Sequence, residues 1–448
     1  MKRYRVRASG PLRGEARVPG DKSIGHRALL FAGLAEGECR IEGLSGGLDN
    51  RATAEAMRAL GARVELTEDR ARIHGTGLTG LRMPPGPVDC GNSGTTMRLL
   101  AGLLVAQPFG TRLLGDSSLS RRPMGRIVQP LRARGGHIAG VGGAKPDEVY
   151  PPLSIAPLVQ GERLLGLEYD MPVASAQVKS ALLLSGLYAA GPTALHEPVL
   201  SRDHTERMLL ALGVPLQSAG TMVVLDPEDW NRRWTGFSWE VPGDFSSAAF
   251  LIAAALMVPD SRVTVSRVGV NPTRTGLLDV LRACGARLGT VPKGDAAGHE
   301  PLADLEVTHQ GLRGARAGGE LLVRMIDEVP ALCALAACIP GRTEIRDAAE
   351  LRVKESDRIA TMAGVLGAFG VPCEELEDGM MIDGGSALRA AHVRSHGDHR
   401  IAMAATLLGM VADGETIVDD VECVETSFPE FPEILRALGG AVDSEAAP

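Results

Sequence analysis

The chain has 448 residues, of which 44% are apolar, 23% charged and only 3% aromatic, with a formal net charge of −8. That length exceeds what one hydrophobic core usually serves, so two domains are expected. The acidic balance excludes a global basic field for polyanions, and the few aromatics exclude a stacking platform for single-stranded nucleic acid, so any anionic ligand must be held by a local cluster.

From the N-terminus, residues 1–8 are basic with no apolar run behind them, so no signal peptide is expected. A leucine-rich helix end running into Gly and an apolar residue then occurs at Met57-Arg-Ala-Leu-Gly61-Ala-Arg-Val64 and Leu131-Arg-Ala-Arg-Gly135-Gly-His-Ile138. It recurs at Leu209-Leu-Ala-Leu-Gly213-Val-Pro-Leu216 and Leu281-Arg-Ala-Cys-Gly285-Ala-Arg-Leu288. The last copies are Leu366-Gly-Ala-Phe-Gly370-Val-Pro-Cys373 and Leu435-Arg-Ala-Leu-Gly439-Gly-Ala-Val442. The glycines lie 74, 78, 72, 85 and 69 residues apart. Each stands where a helix end needs a left-handed residue before a strand begins, so one supersecondary unit is repeated six times.

A second element precedes each of these ends: a small-residue apolar helix, a Gly or Pro break, then a β-branched strand. It spans 27–41, 98–114, 178–195, 247–265, 330–345 and 401–418. Strands therefore alternate with two helices per unit, the pattern of α/β packing. Val18-Pro-Gly-Asp21 reappears as Val241-Pro-Gly-Asp244, three units later, and Pro-Gly punctuates a break in regular structure. The expected organisation is two lobes of three units, with 21–242 forming one and 1–20 rejoining 243–448 to form the other. The alternative is one continuous ring or solenoid of six units. The longest apolar runs, 248–258 and 331–339, fall far short of the roughly 20 residues of a membrane span. The seven cysteines show no metal spacing and read as reduced residues of a cytoplasmic protein.

The starts of the second element's helices are polar. They read Gly20-Asp21-Lys22-Ser23, Gly91-Asn92-Ser93-Gly94, Ser175-Ala176-Gln177, Asp244-Phe245-Ser246, Asp327-Glu328 and Asp398-His399-Arg400. A helix start offers unpaired N–H groups and about half a positive charge, which suits phosphates and carboxylates. Lys22, Arg27, Arg98, Arg122, Lys354, Arg358 and Arg400 lie close to these starts in sequence. Each cation within about 4 Å of a ligand anion contributes on the order of 4 kcal/mol at an effective dielectric of 20, before desolvation.

Each piece alone has an ordinary reading. Gly20-Asp-Lys22-Ser23 lacks the upstream Gly of a phosphate loop and is otherwise a capped helix start. Gly91-Asn-Ser-Gly94 fits a plain turn with an N-cap. Lys354 and Arg358, four apart, fit a solvated stripe on a helix face, and His399 a structural histidine. Placement at equivalent points of the repeat is what favours a shared site.

Together these residues resemble the 5-enolpyruvylshikimate-3-phosphate synthase family. The resemblance rests on Gly-Asp-Lys22-Ser23-Ile-Gly-His-Arg27, Gly91-Asn-Ser-Gly94-Thr-Thr-Met-Arg98, Arg121-Arg122-Pro-Met-Gly and Ser175-Ala-Gln177. It continues through Arg352-Val-Lys354-Glu355-Ser-Asp-Arg358, Asp398-His-Arg400 and Thr426-Ser-Phe-Pro429, covering about residues 4 to 438. It implies a two-lobed inside-out α/β barrel of six βαβαββ repeats, three per domain, with the active site in the interlobe cleft. The implied reaction moves the enolpyruvyl group of phosphoenolpyruvate to the 5-hydroxyl of shikimate 3-phosphate through a tetrahedral intermediate, releasing phosphate, in the route to chorismate and the aromatic amino acids. The resemblance implies no metal, no cofactor and a monomer; glyphosate mimics phosphoenolpyruvate in this family, and Gly94 is expected to leave room for it, although the branch resembles tolerant members that carry Ala there.

By the same resemblance, Lys22, Gly94, Arg122, Gln177, Arg358 and Arg400 hold phosphoenolpyruvate. Lys22, Ser23, Arg27, Ser175, Gln177, Asp327 and Lys354 hold shikimate 3-phosphate, with Ser201 or Arg202 adding to its phosphate site. Asp327 is the implied base for the 5-hydroxyl, Glu355 the implied proton donor to the methylene carbon, and Lys22 assists near the bridging oxygen. Two carboxylates can play opposite roles only in different environments, so in these roles Glu355 needs the less polar one, which sequence does not show.

Several positions depart from the family's commoner pattern. Thr426 stands where a lysine is usual, Ala176 where a second Ser is, Glu350 where an Asn is and Leu99 where a Pro is frequent. One phosphoenolpyruvate contact must therefore be lost or supplied elsewhere. The rival of the same fold, UDP-N-acetylglucosamine enolpyruvyl transferase, has Lys-Asn where this chain has Lys22-Ser23 and a Cys in the loop where it has Gly115-Asp-Ser-Ser-Leu-Ser120. A non-catalytic anion-binding scaffold would not need Asp327 and Glu355 beside the cations. An RNA-end cyclase of the same unit would need a basic or aromatic surface that is absent from the composition.

Overall fold

The computed structural model describes residues 2–143 and 148–446. It divides into two compact units: Gly20–Val241 with Asp295–Glu300, and Met1–Pro19 with Pro242–Gly294 and Pro301–Pro448. The sequence expectation placed 295–300 with the outer segments. That stretch forms the tip of the hairpin between strands Gly289–Ala296 and Glu300–Thr308, and it groups with the middle unit instead.

The middle unit contains three four-stranded sheets built to one plan. In the sheet ordered Val88–Asp89, Thr111–Leu114, Val149–Ile155, Ile138–Gly142, the first two strands are parallel and the remaining neighbours antiparallel. Parallel neighbours need a crossover, and the helix Gly94–Leu104 supplies it. Strands Leu167–Asp170, Thr193–His196, Met222–Leu225 and Leu216–Ala219 repeat the plan around the helix Ala176–Gly186. The third sheet is Ser238–Glu240, Glu36–Glu42, Arg70–Thr76, Arg63–Leu66, and its first strand arrives last in the chain.

The outer unit holds the other three sheets. One is ordered Arg316–Ala317, Gly341–Ile345, Gly379–Gly384, Cys373–Leu376. In another, Lys2–Arg7 lies between Glu415–Asp419 and Val442–Ala446. In the last, Arg13–Arg17 runs parallel to Arg262–Gly269. The middle segment thus enters where strand Arg13–Arg17 would continue into helix Phe245–Met257. It leaves from strand Ser238–Glu240 at Val241-Pro-Gly-Asp244, where Asp244 N donates to Pro19 O at 2.8 Å.

All six helix-end glycines have positive φ, from 77° at Gly213 to 109° at Gly439. In each, the Gly N–H reaches the carbonyl three residues back and the next N–H the carbonyl five back. Gly61 to Arg58 at 3.1 Å and Ala62 to Met57 at 3.0 Å are the first pair. This double closure satisfies the last helical carbonyls and requires a left-handed residue. At the other end, Asp21, Ser93, Ser175, Asp244 and Asp398 each accept a first-turn N–H on their side chain. The exception is Glu328, which precedes Val329–Cys338 without a side-chain cap.

These helices are the interiors of their units. All 13 residues of Phe245–Met257 are buried, as an apolar surface all round the helix dictates. Gly102 marks the closest helix approach: a Cβ there would lie 2.1 Å from Ala181 O and 2.7 Å from Ala181 Cα, both backbone atoms of the helix Ala176–Gly186. Gly102→Ala must push two packed helices apart, and overpacking of this kind costs about 1–3 kcal/mol. A lowered denaturant midpoint is expected, and an unchanged one would contradict this packing. All seven cysteines are free, and among the described residues no helix is long and apolar enough to cross a membrane.

Candidate active site

In the middle unit, the capped start of helix Lys22–Gly33 presents Lys22, whose Nζ is 2.9 Å from Asp49 Oδ2. Asn50 Nδ2 holds the Lys22 carbonyl at 3.1 Å. Ser23 precedes the buried Arg27, which donates back to Ser23 O at 2.8 Å. Arg27 also donates from Nε to Thr205 Oγ1 and from Nη2 to Ser180 Oγ, both at 2.6 Å. Burial pulls its guanidinium down to about 10, still charged near neutrality.

A second cluster gathers at the start of Gly94–Leu104. Arg122 donates to Asn92 Oδ1 at 2.7 Å and to Ser118 Oγ at 3.3 Å. Arg98 donates to Gln177 Oε1 at 2.7 Å, and Gln177 Nε2 donates to Thr95 Oγ1 at 2.9 Å. Gly94 is what lets this cluster close. A Cβ there would stand 2.6 Å from Arg98 Nη1 and 3.4 Å from Arg122 Nη1. Ser175 caps the helix that carries Gln177, accepting from Val178 N at 3.5 Å. Lys22, Ser23, Arg27, Gly94, Arg122, Ser175 and Gln177 thus all lie at or beside helix starts of one unit.

Ser201 is held by the buried Glu197. Its hydroxyl donates to Glu197 Oε1 and its N–H to Glu197 Oε2 at 3.4 Å, so its proton is already committed to a buried carboxylate. Arg202, half-buried beside it, is near enough to Arg27 to oppose its charge.

The outer unit assembles the remaining residues around Arg358, 1% exposed. Its Nε is 2.8 Å from Asp398 Oδ2, Nη2 is 2.6 Å from Glu355 Oε2, and Nη1 is 3.4 Å from Asp327 Oδ1. Burial opposes the charge, but Asp398, Glu355 and Asp327 outweigh it and push the guanidinium well above its ordinary value. Lys354 Nζ lies 4.0 Å from Asp327 Oδ1 and 3.9 Å from Glu350 Oε1, and Arg400 Nη1 donates to the Asp327 carbonyl at 2.9 Å. Arg400 Nε is buried with no partner. One acid therefore faces two cations through its carboxylate and a third through its backbone.

Two expectations need correction here. Lys354 and Arg358 do not share a helix face, because a short 3₁₀ turn ends at Val353 and the next helix begins only at Arg358, capped by Asp357. Nor is Glu355 in a less polar setting, since it is ion-paired with Arg358. Thr426, where the family usually has a lysine, supplies no cation; its hydroxyl donates to Cys423 O at 2.7 Å.

Sequence reasoning missed the partners that hold these side chains. Asp398 was visible only as a cap, yet it anchors Arg358. Asp49, Asn92, Thr205 and Ser180 carry no motif of their own, although Asn92 sits inside a quoted one. Asp244, twin of Asp21, accepts from Arg274 Nη2 at 2.9 Å, and Ser246 donates to the neighbouring Glu328. The repeated Val-Pro-Gly-Asp was the available signal for that cluster.

A repeat-built α/β fold whose helix starts carry buried, hydrogen-bonded cations defines a class, that of enzymes handling small anionic substrates. Comparison with known proteins narrows it. The model of the EPSP synthase (3-phosphoshikimate 1-carboxyvinyltransferase) family matches residues 6–435. The 3-phosphoshikimate 1-carboxyvinyltransferase of Herpetosiphon aurantiacus is 49% identical over 420 residues, 94% of this chain and 95% of that protein. That of Acidithiobacillus ferrooxidans is 48% identical over 440 residues, 98% of each. The solved structure of EPSP synthase from Acinetobacter baumannii superposes with a TM-score of 0.87 at 40% identity, covering 100% of both chains. The chain belongs to the EPSP synthase family, and it is a transferase.

Proposed function

We propose that this chain transfers the enolpyruvyl group of phosphoenolpyruvate to the 5-hydroxyl of shikimate 3-phosphate. The observation that carries this reading is Asp327, with Lys354 and Arg358 at its carboxylate and Arg400 on its carbonyl. Charge balance there suits an ionised base. Asp327 takes the hydroxyl proton as that oxygen attacks C2 of phosphoenolpyruvate. Glu355 gives a proton to the methylene carbon, forming the tetrahedral ketal phosphate. Glu355 then takes a proton back from the methyl group as the C–O bond to phosphate breaks and the double bond re-forms, and the proton held by Asp327 leaves with the phosphate. Lys22 stands by the bridging oxygen.

Arg122, Gln177, Arg358, Arg400, Lys22 and the open backbone at Gly94 hold phosphoenolpyruvate. Lys22, Ser23, Arg27, Ser175, Gln177, Asp327 and Lys354 hold the second substrate, with Ser201 or Arg202 adding to its phosphate site. The phosphoenolpyruvate carboxylate, bound by Arg358, competes with Glu355 for that guanidinium, which frees Glu355 to take up the proton it must donate. Phosphate release from phosphoenolpyruvate plus shikimate 3-phosphate tests the reading, and its absence from the purified protein would end it.

Gly94→Ala is expected to displace Arg98 and crowd Arg122. Because a single displaced charge-assisted contact is worth about 1.5–3 kcal/mol, the KM for phosphoenolpyruvate should rise by about tenfold or more. Inhibition by glyphosate should weaken in the same variant. Initial rates at varied phosphoenolpyruvate, with and without glyphosate, check both, and an unchanged KM would show that Gly94 does not border the site.

A further inference from the structure

We infer that Lys179 is a positioning residue for the shikimate 3-phosphate site, holding Arg27 and the Ser201-Arg202 turn in place without touching substrate. The inference rests on the proposed role of Arg27. Lys179 lies two residues after Gln177 on the helix Ala176–Gly186, and its side chain is 1% exposed. Its ammonium is 2.6 Å from Glu197 Oε2 and 2.6 Å from Glu206 Oε1, and it donates to Ser201 O at 3.4 Å.

Two adjacent residues on each of two helices build this arrangement. Lys179 pairs with Glu206, and their chain neighbours Ser180 and Thr205 bond each other at 2.6 Å while both accept from Arg27. The spacing of the first pair therefore sets the spacing of the second, which is the seat of the Arg27 guanidinium. On its other side, Lys179 fixes Glu197, whose two carboxylate oxygens receive the hydroxyl and N–H of Ser201. With Lys179 on the Ser201 carbonyl as well, the donors and acceptor of that residue are held from one buried point.

Charge accounting supports the same role. One ammonium between two carboxylates leaves a surplus negative charge. Burial pushes the Glu206 carboxyl up, and Glu206 in turn favours the charged form of Arg27. Buried ion triads are poor sources of stability, because apolar replacements of similar volume often do as well. A role in geometry accounts for one beneath a phosphate site.

The test uses the full chain and initial-rate kinetics with both substrates. Lys179→Met keeps the volume of the stem, and Glu197→Gln keeps an acceptor for Ser201. In each, the KM for shikimate 3-phosphate should rise by about tenfold or more, with kcat and the KM for phosphoenolpyruvate within about twofold of the parent. In an Arg27→Ala background the effect of Lys179→Met should shrink, because no guanidinium remains to be held, whereas Glu197→Gln, which acts through Ser201, should keep its effect. Circular dichroism checks folding, and if Lys179→Met does not fold, Glu197→Gln carries the test. A folded Glu197→Gln with an unchanged KM for shikimate 3-phosphate overturns the inference. So does a full additional effect of Lys179→Met on top of Arg27→Ala. An Arg27→Ala variant that itself keeps the parental KM overturns the role of Arg27, and the inference with it.

Discussion

Replacing Asp327 by Asn should cut phosphate release about a thousandfold, within the range of about 10²–10⁴ that general base catalysis supplies. The amide is the same size and can still accept from Arg358 Nη1, which stands 3.4 Å from Oδ1 in the parent. The backbone carbonyl that receives Arg400 is untouched. Binding should therefore survive while the proton acceptor is lost, so kcat falls and both KM values stay near those of the parent. Single-turnover measurement on the folded variant separates the two, and a rate within a factor of ten of the parent would remove Asp327 from the base role.

Asp398→Asn tests stability in the outer unit. Asp398 is fully buried and serves three partners: Arg358 at 2.8 Å, Ser356 Oγ at 3.1 Å and the Arg400 N–H at 3.0 Å. Asn preserves the cap but deprives the Arg358 guanidinium of its most deeply buried counter-charge. Breaking a buried pair by removing one partner costs about 3–5 kcal/mol, and the remaining partners Glu355 and Asp327 place the expected loss at the lower end. All three tryptophans, Trp230, Trp234 and Trp239, lie in the middle unit. Denaturation followed by far-ultraviolet circular dichroism should thus show an earlier transition, while tryptophan fluorescence should follow the parental curve. Equal shifts by both probes would mean that the loss is not confined to the outer unit.

The repeat was legible because its signals are local. A glycine that must adopt positive φ leaves its mark at each of six helix ends, and an Asp or Ser that caps a helix start does so at five. The site residues were legible where they coincide with those starts, as Lys22, Gly94, Gln177 and Arg400 do. What stayed hidden is pairing across sequence distance. Nothing about Glu197 or Glu206 distinguishes them from surface acids until Lys179 is found between them. Nothing about Glu355 shows that Arg358, three residues on, takes its carboxylate out of an apolar setting. The partner of Ser201 stayed hidden for the same reason, since its acceptor Glu197 belongs to no motif.

The interruption between strand Arg13–Arg17 and helix Phe245–Met257 dictates an order of assembly on the ribosome. Residues 20–241, including strand Ser238–Glu240, emerge complete before any neighbour of the first two strands exists. Tyr4 must wait for Val418 and Ser444, and Glu15 for Thr264. The nascent N-terminus therefore stays unpaired through most of translation, and its basic, alternating character, with Arg3, Arg5 and Arg7 between apolar positions, keeps that waiting edge soluble.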